Sequence, residues 1–228
     1  MHDRALLITG ASSGIGAATA RAAAREGYQL VLAARSADKL TSLAQELGPE
    51  NVLTCEVDVT DLSQQQAMVE QAIETFGHID AVFANAGRGG SPGGFSSADH
   101  VAWREMILTN IYGVGLTLQA CLPELKRRQG HILLTGSAAG RTTIPGSMYS
   151  ATKWAVTGIG YNLREELRGT GMRVTLIEPG MVDTPFFDEP PEYALADRDI
   201  ANAVIYALSQ PPHVDVNEIL VRPTPPRE

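Results

Sequence analysis

The chain has 228 residues, of which 44% are hydrophobic and 19% charged, a balance that fits one folded domain and excludes a disordered segment. Its 18 Lys and Arg against 26 Asp and Glu leave a net charge of -8, which argues against a protein held on the phosphate backbone of nucleic acid. No apolar run is expected to reach the about 18–20 residues that cross a bilayer. The start, Met1-His2-Asp3-Arg4, has no signal-peptide pattern, so a cytoplasmic protein without membrane contact is expected. Lys126-Arg127-Arg128 reads as a solvated helix end, Cys55 and Cys121 as buried free thiols, and the 5 scattered histidines as no metal site.

In chain order, short β-branched runs alternate with longer amphipathic stretches. Strands are predicted over 5–9, 29–34, 51–57, 79–84, 131–135, 173–178 and 218–221. Helices are predicted over 14–26, 37–47, 63–76, a long region 97–128, then 148–169 and 199–209, with Gly27, Gly48-Pro49 and Gly77 as stops. Ala5-Leu6-Leu7-Ile8, Leu30-Val31-Leu32 and Ala81-Val82-Phe83 are apolar on both faces, which suits a parallel sheet covered by helices on each side. The β–α–β rhythm predicts an α/β, doubly wound, Rossmann-type fold in a single domain over 1–228. A short substrate loop is expected near 185–198.

The first predicted strand runs into Thr9-Gly10-Ala11-Ser12-Ser13-Gly14-Ile15-Gly16 and a helix follows at once. Such a turn lets a pyrophosphate sit over the free N–H groups of a helix N-terminus, which makes Gly10, Ser12, Ser13, Ile15 and Gly16 candidate cofactor contacts. After the second strand, Ala34 stands where an NAD site needs an acid, and Arg35 can pair with a 2′-phosphate. That contrast predicts NADP(H) over NAD(H). Asp58 and Val59 follow the third strand and can meet adenine, although Asp58 also suits a cap for the turn before Ser63. Tyr149 and Lys153 lie four residues apart and so share one helix face. A cation beside a tyrosine moves the phenol toward general acid/base use. Ser137 follows the strand 131–135, at the end of the sheet where ligands bind.

Taken in order, these residues resemble the short-chain dehydrogenase/reductases over nearly the whole chain. The resemblance rests on the T-G-x-x-x-G-x-G turn at 9–16, Asn85-Ala86-Gly87, Asn110, Ser137, Tyr149-x-x-x-Lys153 and Pro179-Gly180. It implies a catalytic set of Asn110, Ser137, Tyr149 and Lys153: Tyr149 as acid/base, Ser137 orienting the carbonyl, Lys153 on the nicotinamide ribose, and Asn110 holding a relay water. It also implies cofactor contacts from Asn85, Ala86, Gly87, Tyr149, Lys153, Pro179, Gly180, Val182 and Thr184. For Asn85, cofactor contact and stabilisation of the sheet end stand as equal readings.

The tail around Gln210–Leu220 is similar to bacterial NADP-dependent dehydrogenases of 3-hydroxy acids such as serine or allo-threonine, and to related carbonyl reductases. The stretch 185–196 is shorter than that family's usual substrate-covering loop. The expected activity interconverts a carbonyl and a secondary alcohol of a small molecule; a catalytically idle NADP(H)-binding regulator is the rival. Leu116, Leu122, Val156, Ile159 and Leu163 exceed what one sheet-facing stripe requires, and the resemblance implies that the two long helices pair with their counterparts about a two-fold axis, so a homodimer or homotetramer is expected.

Overall fold

Strands apolar on both sides need cover on both sides, and this chain supplies it by alternating strands with helices. The computed structural model describes residues 4–187, 189 and 191–224; of the expected loop, Asp188 and Pro190 lie outside the described residues. The first half runs β1 (Ala5–Thr9), α1 (Gly14–Arg25), β2 (Gln29–Ala34), α2 (Ala37–Leu47), β3 (Val52–Glu56), α3 (Leu62–Phe76) and β4 (Ala81–Ala84). The second half runs α4 (Gly94–Ser97), α5 (His100–Ile107), α6 (Gly113–Arg128), β5 (His131–Thr135), α7 (Met148–Glu166), β6 (Arg173–Pro179), β7 (Val182–Asp183), β8 (Leu195–Ala196), α8 (Asp197–Ser209) and β9 (Glu218–Val221).

Seven strands form one sheet in the order β3-β2-β1-β4-β5-β6-β9, and every pairing in it is parallel. Strand residues alternate between the two faces. Leu7, Val31, Val82, Ile132 and Leu176 join one core with Met68, Leu125, Val156 and Leu163 from α3, α6 and α7. Leu6, Ile8, Leu30, Phe83 and Ile177 join the other with Ala20, Leu40 and Val204 from α1, α2 and α8. The strand order reverses between β1 and β4, so successive crossovers leave on opposite sides and open a crevice at the strands' carboxyl ends.

The expected doubly wound sheet in a single domain is the observed one, and most boundaries fall within two residues of expectation. Asp58 does cap the turn before Ser63, accepting from the Thr60 N–H, and Asp61 caps α3, accepting from the N–H groups of Ser63 and Gln64. The helical region 97–128 contains a π turn at Leu108–Tyr112 between α5 and α6, which hydropathy patterning does not reveal. By length and composition this continuous helix, His100–Arg128, is able to cross a membrane, a qualification to the expectation from apolar runs. Here it buries Met106, Val114, Leu118, Cys121 and Leu125. Cys55 and Cys121 are both free and buried. The basic cluster does close α6, with Lys126 and Arg128 paired to Glu166 and Asp80. The expectation for the long helices needs correction: Leu116, Val156 and Leu163 are spent inside the subunit, because α6 and α7 use a wider stripe against the sheet than a single row. The exposed aromatics are instead Tyr112, in the π turn before α6, and Trp154 and Tyr161 on α7.

Candidate active site

The carboxyl ends of the central strands open into a cavity of about 520 Å³. The turn after β1 forms one end. Gly10 has φ +67 and a Cβ there would meet the Ala86 Cα at 2.8 Å, so backbone shape and space both demand glycine. A Cβ on Gly16 would stand 2.3 Å from the Gly10 carbonyl oxygen; Gly16 therefore packs helix against turn, and Gly10, Ser12, Ser13 and Ile15 line the cavity in front of it. Ser13 caps α1 without a side-chain bond, and no acid occupies the first turn. The helix thus begins with N–H groups that no side chain satisfies, a fit for an anion.

Beside this turn, Ala34, Arg35 and Ser36 line the wall after β2, and Asp58 and Val59 line it after β3. The Asp58 carboxylate accepts from the Thr60 N–H at 2.9 Å and the Thr60 hydroxyl at 2.8 Å. Those bonds, the backbone one foremost, hold its pKa below the ordinary value. Asn85 sits where three strands end: its Nδ2 donates to the Thr9 carbonyl at 3.1 Å, and its Oδ1 accepts from the Thr135 hydroxyl at 3.1 Å. Its neighbours Ala86 and Gly87 also line the cavity.

The other end holds Ser137, Tyr149 and Lys153. Ser137 caps a short 3-10 turn, Ala138–Gly140, accepting from the Ala139 N–H, and its hydroxyl donates to the Pro179 carbonyl at 3.3 Å. Tyr149 stands in the first turn of α7, held by Ser147, whose hydroxyl accepts from the Ser150 N–H. Burial pushes the Tyr149 phenol up to about 12, and a hydrogen bond with Ser137 works against that rise. Lys153 is 4% exposed; its ammonium donates to the Thr135 carbonyl at 2.8 Å, and burial brings it down to about 8. Its Nζ lies 5.7 Å from the Tyr149 ring centroid. Loss of hydration is the largest influence on the phenol here.

Asn110 does not reach the cavity wall. It is buried in the π turn, where its Oδ1 accepts from the Arg88 N–H and its Nδ2 donates to the Arg88 carbonyl and the Thr152 hydroxyl. Pro179, Gly180, Val182 and Thr184 complete the wall, and the Thr184 methyl packs 3.1 Å from where a Gly14 Cβ would be.

A family model described as short chain dehydrogenase matches residues 4–193. The chain belongs to the short-chain dehydrogenase family. It is an oxidoreductase by that membership. A protein of Staphylococcus haemolyticus known as an uncharacterised oxidoreductase is 41% identical over 98% of both chains. The alcohol dehydrogenase of the archaeon Thermococcus sibiricus, solved with 5-hydroxy-NADP, is 35% identical over 99% of both chains with a TM-score of 0.90. Serine dehydrogenase from Escherichia coli is 32% identical, covering 95% of this chain and 96% of that one, with a TM-score of 0.87.

Sequence reasoning missed three features of this short-chain dehydrogenase. Phe186 and Phe187 line the cavity beside Tyr149; two adjacent aromatics in a chain with 6% aromatic residues were the available signal. Arg88 and Glu105 also line it and pair with each other, a contact between distant segments that no spacing reveals. The third is a buried ion pair behind Ser137. Glu178, 1% exposed, accepts from Arg141 Nε at 2.6 Å, while Glu218 takes the other side of the same guanidinium. The Gly136 backbone rests on the Glu178 side chain, 3.0 Å from a Gly136 Cβ position to Glu178 Cγ. Replacing Arg141 by Ala leaves that carboxylate buried without its cation, and a loss of about 3 kcal/mol is expected. Chemical denaturation of R141A, beside an R141A/E178Q double variant that recovers part of the loss, checks it.

Proposed function

We propose that this chain interconverts a carbonyl group and a secondary alcohol with a nicotinamide cofactor, NADP(H) in preference to NAD(H). One observation carries the reading: Ser137, Tyr149 and Lys153 converge at one end of a cavity whose other end is an uncapped helix N-terminus behind a glycine turn. The pyrophosphate belongs at that turn, on Gly10, Ser12, Ser13 and Ile15, with Gly16 keeping helix and turn in contact. Arg35 and Ser36 suit a 2′-phosphate, and the absence of a carboxylate at Ala34 removes the partner that a bare ribose 2′-hydroxyl would use. Asp58, Val59, Asn85, Ala86 and Gly87 flank the adenosine and the central part of the cleft, and Pro179, Gly180, Val182 and Thr184 close over the nicotinamide side. The NADP analogue in the Thermococcus sibiricus enzyme supports this choice.

When bound there, the nicotinamide supplies or accepts the hydride. Ser137 orients the carbonyl oxygen toward Tyr149, whose phenol donates the proton in reduction and accepts it in oxidation. Lys153 bonds the ribose and stabilises the phenolate. Asn110 acts at one remove. A Cβ on Gly87 would lie 3.5 Å from Asn110 Oδ1 and 3.8 Å from Lys153 Nζ, and the gap between those two groups suits a relay water with partners on both sides. The residues after Thr184 form the substrate loop, pinned by the β7–β8 ladder. Two buried free thiols suit a reducing compartment such as the cytoplasm. The exposed Tyr112 of the π turn and the outward face of α7, with Trp154 and Tyr161 exposed, suit an isologous contact in a dimer or tetramer.

Four outcomes are expected. Tyr149→Phe keeps the fold and cofactor binding and lowers kcat by about 10²-fold or more, the usual reach of acid/base catalysis. In the wild type, a phenol near 12 stays protonated at neutral pH, so reduction holds its rate from pH 6 to 7, below the titration of Lys153 at about 8, while oxidation climbs with pH over that range as the phenolate fraction grows. A flat oxidation profile, or normal turnover by the variant, contradicts the role of Tyr149. Arg35→Ala weakens NADPH by about 1.5–3 kcal/mol, the loss of a charge-assisted bond, and leaves NADH nearly unchanged; titration calorimetry with both cofactors tests this. Trp154→Glu shifts the assembly toward monomer in sedimentation, and a wild type that sediments as a monomer at micromolar concentration refutes the contact.

A further inference from the structure

The wall that faces Tyr149 from the loop side is aromatic. The Phe186 ring lies 5.6 Å from the Tyr149 ring at 59°, and 5.2 Å from Phe187 at 73°. Phe186 also covers the segment after β4, with its Cζ 3.3 Å from a Gly89 Cβ position. The ring thus bridges two walls of the cavity directly beside the phenol, and it is still 41% exposed, so it offers a free face. Its backbone is anchored: the Phe187 N–H donates to the Thr184 carbonyl, Thr184 packs on Gly14, and the β7–β8 ladder joins Val182 to Leu195.

The cations around this end are already engaged. Arg88 pairs with Glu105, whose carboxylate adds negative charge to the same wall. Lys153 is buried on the Thr135 carbonyl, and Arg141 is held between Glu178 and Glu218. Arg35 stands at the opposite end, after β2. A carboxylate placed beside Ser137 and Tyr149 would lose water in exchange for cations that are paired (Arg88, Arg141), buried on a carbonyl (Lys153) or out on the surface behind Gly180 (Arg222), a costly exchange. A flat apolar group there would lose little and stack on Phe186 in the offset or edge-on geometry that aromatic rings favour.

We propose that the site selects uncharged carbonyl compounds bearing an aromatic or bulky apolar group next to the reacting carbon, and that Phe186 is the specificity-determining side chain that holds that group. This rests on the carbonyl–alcohol reading above. The ketone carbon takes a hydride and its oxygen a proton from Tyr149, giving the secondary alcohol as NADPH becomes NADP⁺. The 3-hydroxy acids suggested by the tail resemblance are then poor substrates.

The test uses the full chain with NADPH and three carbonyl probes: 1-phenyl-1,2-propanedione, 2,3-butanedione and acetoacetate. The phenyl dione is expected to exceed butanedione in kcat/KM by about tenfold and acetoacetate by about a hundredfold, the range that pocket contacts and an unpaired charge produce. Phe186→Ala should lower the phenyl dione by about tenfold, leave butanedione within about twofold, and be rescued by Phe186→Tyr. Acetoacetate reduced best, or a Phe186→Ala loss equal for all three probes, overturns the specificity while leaving the carbonyl reductase standing. Turnover of none of the three overturns both.

Discussion

Three strands of a parallel sheet end side by side, and one amide ties their ends together. Asn85 donates to the carbonyl of Thr9 and accepts from the hydroxyl of Thr135, while the Thr9 hydroxyl in turn accepts from the N–H groups of Asn85 and Ala86. Buried polar groups of this kind are costly to leave unsatisfied. Satisfying them side chain to backbone locks the ends of β1, β4 and β5 at fixed separations. The glycine turn hangs from the first of these strands, the Asn85-Ala86-Gly87 wall from the second, and the Ser137 turn from the third. Of the two readings open for Asn85, the sheet-end role is the one its bonds display; its place in the cavity wall leaves a cofactor contact compatible with it.

The same economy is visible in the second half. A π turn swells the long helix at Asn110, and the extra residue turns that amide inward onto the Arg88 backbone and Thr152. Thr152 precedes Lys153 on α7, so helix α5–α6, the loop after β4 and the helix bearing Tyr149 share one set of bonds. Behind Ser137, the Arg141–Glu178 pair ties the 3-10 turn to β6, and the Ser137 hydroxyl reaches the next residue of that strand, Pro179. The side chains assigned to the proposed proton transfer are thus braced by polar contacts one layer out, as such a site would need to hold its geometry.

Periodicity made the sheet legible because its strands are apolar on both faces and its helices end at glycines such as Gly27 and Gly77, where positive φ stops them. Most of the site was legible for a related reason: Gly10, Asn85, Ser137 and Tyr149 all sit within two residues of a strand's end or a helix's start. What escaped has no periodic or local signature. The π turn depends on the side-chain bonds of Asn110, the Arg88–Glu105 and Arg141–Glu178 pairs join segments distant in sequence, and the aromatic contact of Phe186 with Tyr149 is made by loop geometry. The surplus of apolar residues on α6 and α7 was read as an assembly surface, yet Leu116, Val156 and Leu163 face inward, since a helix packed under a sheet and beside two other helices buries more than one stripe.

The site's charges explain why it is held so firmly. Burial drives Tyr149 up to about 12 and Lys153 down to about 8, so the fold disfavours the charged form of both groups to which the proposed acid/base work is assigned. For Lys153 the sign is definite. Its folded pKa lies below its unfolded value, so at neutral pH the buried ammonium costs stability, and that cost fades as pH rises from about 8 toward the unfolded lysine value of about 10.4. A sheet end tied by Asn85 and a helix braced through Thr152 and Asn110 are what let the chain tolerate that cost. The ammonium is thereby fixed beside Tyr149, its Nζ 5.7 Å from the ring centroid, and in the proposed reaction a further positive charge in the cleft would favour the phenolate over the desolvation that opposes it.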